Sequence, residues 1–213
     1  MWGLVKYELR CMKKVIYMYL AFMVFYLLLG IFGMGPEKTS TFVMFFSIFF
    51  SIGVLSQWEQ YHWDVMAAAM PLSRRQVIGS LYLICLCVMG VGVACTFAAY
   101  AGAYVVNPGE VLLGMEDLAM ILFWFCVALI YTSIVIPVLI RFGSIKGRFI
   151  SFAILIIPCL ILVIVSQNIN EAYLVSFINQ SVQWLAIGIP VVAAAAFVIS
   201  LFVSVKIYER KDL

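Results

Sequence analysis

Long apolar runs separated by short clusters of charge make up most of the chain. Six stretches carry no charged residue and are long enough to cross a bilayer: 15–34, 41–57, 77–106, 118–140, 149–166 and 184–205. A crossing helix needs about 20 apolar residues. Lipid offers no partner to an unpaired backbone amide, so such runs form helices. A β-barrel would instead show alternating segments of about 10 residues, and none are present. The pattern predicts an all-α, polytopic membrane protein: a single transmembrane domain over residues 1–213 with six transmembrane helices.

The polar segments between the runs have patterns of their own. In residues 1–14, Trp2, Val5, Leu9 and Met12 recur at intervals of three and four, with Arg10 and Lys14 on another side. That spacing suits an N-terminal interfacial helix lying in the headgroup layer. A plain tail with anchoring cations is the alternative. Residues 58–76 are too long for a simple connection. Glu59 to Met70 can form about three helical turns, which Pro71 ends. Ser73 followed by Gln76 then reads as a capping box that starts the third span. The short helix carries Trp58, Tyr61, Trp63, Met66 and Met70, side chains that suit docking to another protein. They equally suit a helix resting on the membrane. Residues 167–183 read as a segment between the last two spans, with Tyr173, Leu174, Phe177 and Ile178 on one face of a short helix or within a solvated loop.

Composition agrees with this picture. Of 213 residues, 66% are hydrophobic and 11% charged, against about half and about a quarter in soluble domains. The mean hydropathy is +1.15. A soluble enzyme, a disordered tail and a disulfide scaffold are excluded. Charge then orients the chain. Twelve of the 13 basic residues fall on one side together with five acidic ones, while Lys38 and the other five acidic residues fall on the other. The positive-inside rule places both termini in the cytoplasm. The net charge of +3 is what remains of that asymmetry and says nothing of nucleic acid. The first run is longer than a signal-peptide core and lacks a small-residue cleavage site, so it reads as a retained span.

Candidate chemistry is sparse. The sequence has no G-x-x-x-x-G-K-[ST] loop, no H-E-x-x-H and no G-x-S-x-G. A single histidine, His62, cannot build a multi-histidine zinc site. Five of the six cysteines lie within apolar runs and read as packing residues. No charged residue lies inside a span, whereas ion-coupled carriers and voltage sensors usually bury one. Neither a catalytic residue nor a metal or cofactor site is expected in this chain.

The run Glu59, Tyr61, Trp63, Asp64, then Met70-Pro71-Leu72-Ser73-Arg74-Arg75-Gln76-Val77-Ile78 and Ser80-Leu81-Tyr82 resembles the permease subunits of ABC-2-type transporters. It departs in having Met70 for a usual leucine, Leu72 for valine and Leu81 where lysine is frequent. Lys6-Tyr7-Glu8-Leu9-Arg10 near the N-terminus and the closing stretch from Lys206 to Asp212 also agree. Among small members, the chain is similar to bacterial exporters of amphipathic peptide toxins and antimicrobial peptides. The resemblance implies a plasma-membrane permease that moves a hydrophobic or amphipathic substrate out of the cell. It implies a separate cytoplasmic ATPase, which binds ATP and Mg, and a second permease chain, identical or homologous. The helix Glu59 to Met70 becomes the coupling helix between spans 2 and 3, with Glu59, Tyr61, His62, Trp63, Asp64, Met66, Met70, Pro71, Arg74 and Arg75 as ATPase-docking residues. A structural or assembly protein, or a channel without an ATPase, is the alternative.

Two helix faces are candidates for the substrate path or a permease interface. Phe42, Phe46 and Phe50 form a row in the second span, and the first adds Tyr19, Phe22 and Tyr26. They suit an adaptable wall for an apolar substrate or interhelical packing. Gly90, Ala94, Ala98 and Gly102 recur every four residues in the third span and permit close approach of another helix, in a second permease or within the same subunit.

Overall fold

A computed structural model of the protein describes residues 13–60, 73–106, 113–168 and 171–210. All its elements are helical: α1 (Lys13–Leu29), a π-helical turn (Gly30–Met34), α2 (Pro36–Gln60), α3 (Arg74–Val106), α4 (Met115–Asn168) and α5 (Glu171–Glu209). No strand occurs among the described residues. The expected interfacial helix over residues 1–14 lies, but for its last two residues, outside the described residues, as does the stretch 61–72 of the expected coupling segment.

Five segments are long and apolar enough to cross a membrane: Lys13–Phe32, Thr41–Trp58, Arg74–Val106, Met115–Gly143 and Gly188–Glu209. The second half of α4 contains the remaining expected span, 149–166. Two connections are much tighter than the charge pattern suggested. Between α1 and α2 only Gly35 is non-helical, with φ 82°. Pro36 follows as the first helical residue, where its fixed φ and missing N–H cost nothing. Thr39 Oγ1 and the Thr39 amide both donate to the Gly35 carbonyl, at 3.0 and 3.4 Å. Within α4 the chain reverses at Gly143, φ 78° and ψ 169°, a conformation only glycine adopts at little cost. A methyl group added at Gly147 would sit 2.7 Å from Leu139 Cδ2 and 3.1 Å from its Cα. Tyr131 donates to the Ser151 carbonyl at 2.9 Å. The two halves of α4 are thus an antiparallel pair in near-backbone contact.

The expected loop 141–148 shrinks to that one break. Arg141 ends one helix while Lys146 and Arg148 sit in the first turns of the next. At the other end, α5 is helical from Glu171 onward, so the expected segment 167–183 runs into span 6 without a separate turn at 184.

Helix α4 packs against α5 and α2, and α3 lies against α2, α5 and α1. The buried centre is apolar, with Met23, Val43, Met44, Ile48, Ile78, Leu81 and Met89. No charged side chain is buried among the described residues. Most buried polar groups are hydroxyls, of which Ser47, Thr96, Thr132, Ser133 and Ser151 each donate to the carbonyl four residues back. This satisfies them without water, as a bilayer interior requires. The outward faces carry Phe25, Phe32, Phe202 and many other large apolar residues, a surface that suits lipid rather than water.

Candidate coupling site at the basic end of the bundle

The ends of α3 and α5 and the break in α4 meet at one end of the bundle. Among the described residues all basic side chains except Lys38 belong to helix ends on this side. The expected capping box is present: the Gln76 amide donates to Ser73 Oγ at 3.3 Å, and Gln76 Oε1 accepts from the Ser73 amide at 3.2 Å. These bonds satisfy two of the orphan donors that open a helix and fix where α3 begins.

That start point aims Arg74 and Arg75 at the end of α5. Arg74 Nη1 donates to the carbonyls of Tyr208, at 3.1 Å, and Glu209, at 2.8 Å. A cation at a helix C-terminus satisfies orphan carbonyls and meets the negative end of the helix dipole. Arg75 Nε stands 3.5 Å from Glu209 Oε1. That pair is well exposed and contributes little by itself. The joint therefore rests on Arg74. Arg74 thereby links the start of span 3 to the end of span 6.

Of the expected docking residues, Tyr61, His62, Trp63, Asp64, Met66, Met70 and Pro71 lie outside the described residues. Glu59 falls in the last turn of α2, beside Trp58, which is only 6% exposed. Arg74 and Arg75 lie within the described residues, and both reach the end of α5.

Sequence patterns did not single out a buried hydroxyl chain deeper in the bundle. Tyr82, 1% exposed, lies 2.6 Å from Ser200 Oγ and 2.8 Å from Ser204 Oγ. Ser200 donates to the Ser133 carbonyl. Spans 3, 6 and 4 are thereby tied at one point. The available signal was the pair Ser200 and Ser204, one turn apart in an otherwise apolar run. A second node joins the first three spans: Tyr19 Oη lies 2.8 Å from Ser47 Oγ and 3.3 Å from the Val88 carbonyl. Gly92 allows this approach, since a methyl there would stand 3.0 Å from Ser47 Oγ.

The aromatic rows interleave. Phe22 stacks on Phe46 at 4.9 Å, Tyr26 on Phe42 at 5.2 Å, and Tyr19 meets Phe50 at 5.2 Å. These six rings are a packing seam between α1 and α2; Phe22 and Phe42 keep an exposed face, while Tyr19 and Phe50 are buried. The small-residue stripe divides. Gly90, Ala94 and Ala98 are exposed on the outside of α3. Gly102 turns inward, where a methyl would stand 2.6 Å from Ile31 Cδ1.

Comparison with curated proteins and with solved structures gives no match. Residues 3–209, nearly the whole chain, match the family described as ABC-2 family transporter protein. With the bundle of apolar helical spans, and no buried charge among the described residues, this identifies a multi-pass membrane protein: the chain belongs to the ABC-2 transporter family.

Proposed function

We propose that this chain is the permease subunit of an ATP-driven exporter in a bacterial plasma membrane, with both termini cytoplasmic. The family match and the joint between α3 and α5 support the reading. A separate ATPase binds ATP and Mg, and its docking surface is the coupling helix from Glu59 to Met70. Movement of that helix reaches span 3 through the Ser73 cap and span 6 through Arg74. A ligand is moved only when the two states of the bundle bind it differently. The substrate is hydrophobic or amphipathic, and a peptide fits the resemblance to small exporters. The second permease meets this one along the outward face of Gly90, Ala94 and Ala98, whose lack of side-chain bulk permits helix approach.

The observation that carries the proposal is the fixed joint on the far side of the coupling segment. The test is co-purification of the tagged chain from its native host, with ATPase activity measured on the eluate. Recovery of an ATPase chain, lost with Glu59→Lys/Asp64→Lys or with Met70→Asp while the spans stay folded, is expected. Recovery of the six-span chain alone under conditions that preserve other ABC complexes would remove the transporter reading. Undiminished recovery with both variants would remove docking at this helix.

A further inference from the structure

The basic end also holds a cleft beside the coupling joint. Ile140 and Arg141, at the end of the first half of α4, face Ile207 and Arg210, at the end of α5. The cleft has a volume of about 340 Å³, at the lower end of the range for small-molecule sites, about 300–1,000 Å³. Among the described residues its lining is two arginines and two isoleucines.

The charges around it are already apportioned. The carbonyls that end α5 accept from Arg74, and the Glu209 carboxylate faces Arg75. Among the described residues neither Arg141 nor Arg210 has a carboxylate partner. Arg141 stands over the Phe142 ring, 5.6 Å from its centre; a stacked guanidinium keeps its edge N–H donors for an anion. The Arg210 amide donates to the Ile207 carbonyl at 3.2 Å, which closes the last turn and holds Arg210 on the side of Ile207. Two arginines with no carboxylate partner among the described residues, beside two isoleucines at the level where apolar spans give way to charged helix ends, match a ligand with an anionic head and an apolar body.

We propose that this cleft binds the phosphate headgroup of an anionic glycerophospholipid, with Arg141 and Arg210 forking onto the phosphodiester and Ile140 and Ile207 against the start of the acyl chains. Arginine suits this role because its planar donors match phosphate oxygens in pairs. Basic pockets between transmembrane helices on the cytoplasmic side are a recurring form of lipid recognition. The inference requires that the basic end lie in the headgroup layer; it requires no ATPase partner.

The test uses the chain alone, purified and delipidated in a neutral detergent, and titrated by native mass spectrometry. The probes are phosphatidylglycerol, phosphatidylcholine of the same acyl chains, glycerol phosphate and inorganic phosphate. Wild-type protein is expected to retain phosphatidylglycerol over phosphatidylcholine and to bind neither soluble phosphate comparably. Arg141→Gln and Arg210→Gln should each weaken phosphatidylglycerol roughly fivefold, and the pair about thirtyfold. Lys206→Gln, on the same helix end but outside the cleft, should leave it unchanged. Equal affinity for the two lipids, an unchanged double variant, an equal loss with Lys206→Gln, or saturation by soluble phosphate would each overturn the proposal. Circular dichroism and elution position report folding, and the single variants, each keeping one arginine, decide the matter where the double variant does not fold.

Discussion

Tyr82→Phe removes one oxygen from a site with almost no exposure and changes little else. Counting protons fixes the direction of the chain. Ser200 donates its proton to the Ser133 carbonyl, so at Tyr82 its oxygen accepts and the phenol donates. Ser204 then donates to the phenol oxygen, since each hydroxyl has one proton. Phenylalanine leaves Ser204 without its acceptor and Ser200 without its donor. The Ser204 proton can turn back to a carbonyl of its own helix, which recovers part of the loss. Side-chain hydrogen bonds between membrane helices average about 0.6 kcal/mol and reach about 1.7. Two of them give an expected destabilisation of about 1–2 kcal/mol. The ring stays in place against Phe197, 5.1 Å away and edge-on, so no cavity term adds to this. Unfolding in mixed micelles, followed by circular dichroism, measures it. Ser200→Ala should cost a similar amount. The double variant should fall short of the sum by about 0.5 kcal/mol or more, because the two share one chain. Strict additivity, or a Tyr82→Phe protein as stable as wild type, would refute the proton assignment and the idea that this node ties spans 3, 4 and 6.

Arg74→Gln should free the last turn of α5 at a cost of about 1 kcal/mol or less, since the site is solvent-screened; faster hydrogen exchange in that turn checks it, and unchanged exchange would show that Arg74 does not hold it. Gly147→Ala drives a methyl toward the Leu139 backbone and should destabilise by about 1–3 kcal/mol, read as a lower midpoint in the same micelle assay. A Cβ at Gly90 meets nothing within 4 Å among the described residues, so Gly90→Leu should leave monomer stability unchanged while weakening association of two permeases, as measured by crosslinking in native membranes.

How far the sequence could be read depended on the range of each interaction. The Ser73–Gln76 cap was legible because both partners sit within one turn. Span existence was legible because a bilayer imposes length and apolarity on each helix separately. The tight reversal at Gly143 was not, because Arg141, Lys146 and Arg148 mark a loop by composition. A helix end at the headgroup layer carries such residues equally well, since their long side chains reach outward. Phe42, Phe46 and Phe50 could be placed in one row by period alone. That Phe22 and Tyr26 would stack upon two of them depended on how α1 lies against α2, which periodicity does not encode. The same limit hid the Tyr82 chain, whose partners stand 118 and 122 residues away. The outward aspect of Gly90 and Ala94 was undecidable for another reason: small residues permit approach by any helix and name none.

The single-residue reversal at Gly35 also bears on how the protein is made. Of the five spans measured by hydropathy, Thr41–Trp58 is the least apolar, and it directly follows that turn. With no loop to separate them, α1 and α2 have the form of a helical hairpin whose rings pair along one seam. The expectation is that the weaker segment enters the bilayer together with its more apolar neighbour. Biogenesis of the N-terminal third is then a pairwise event, and lengthening the turn would harm insertion before it harmed the finished bundle.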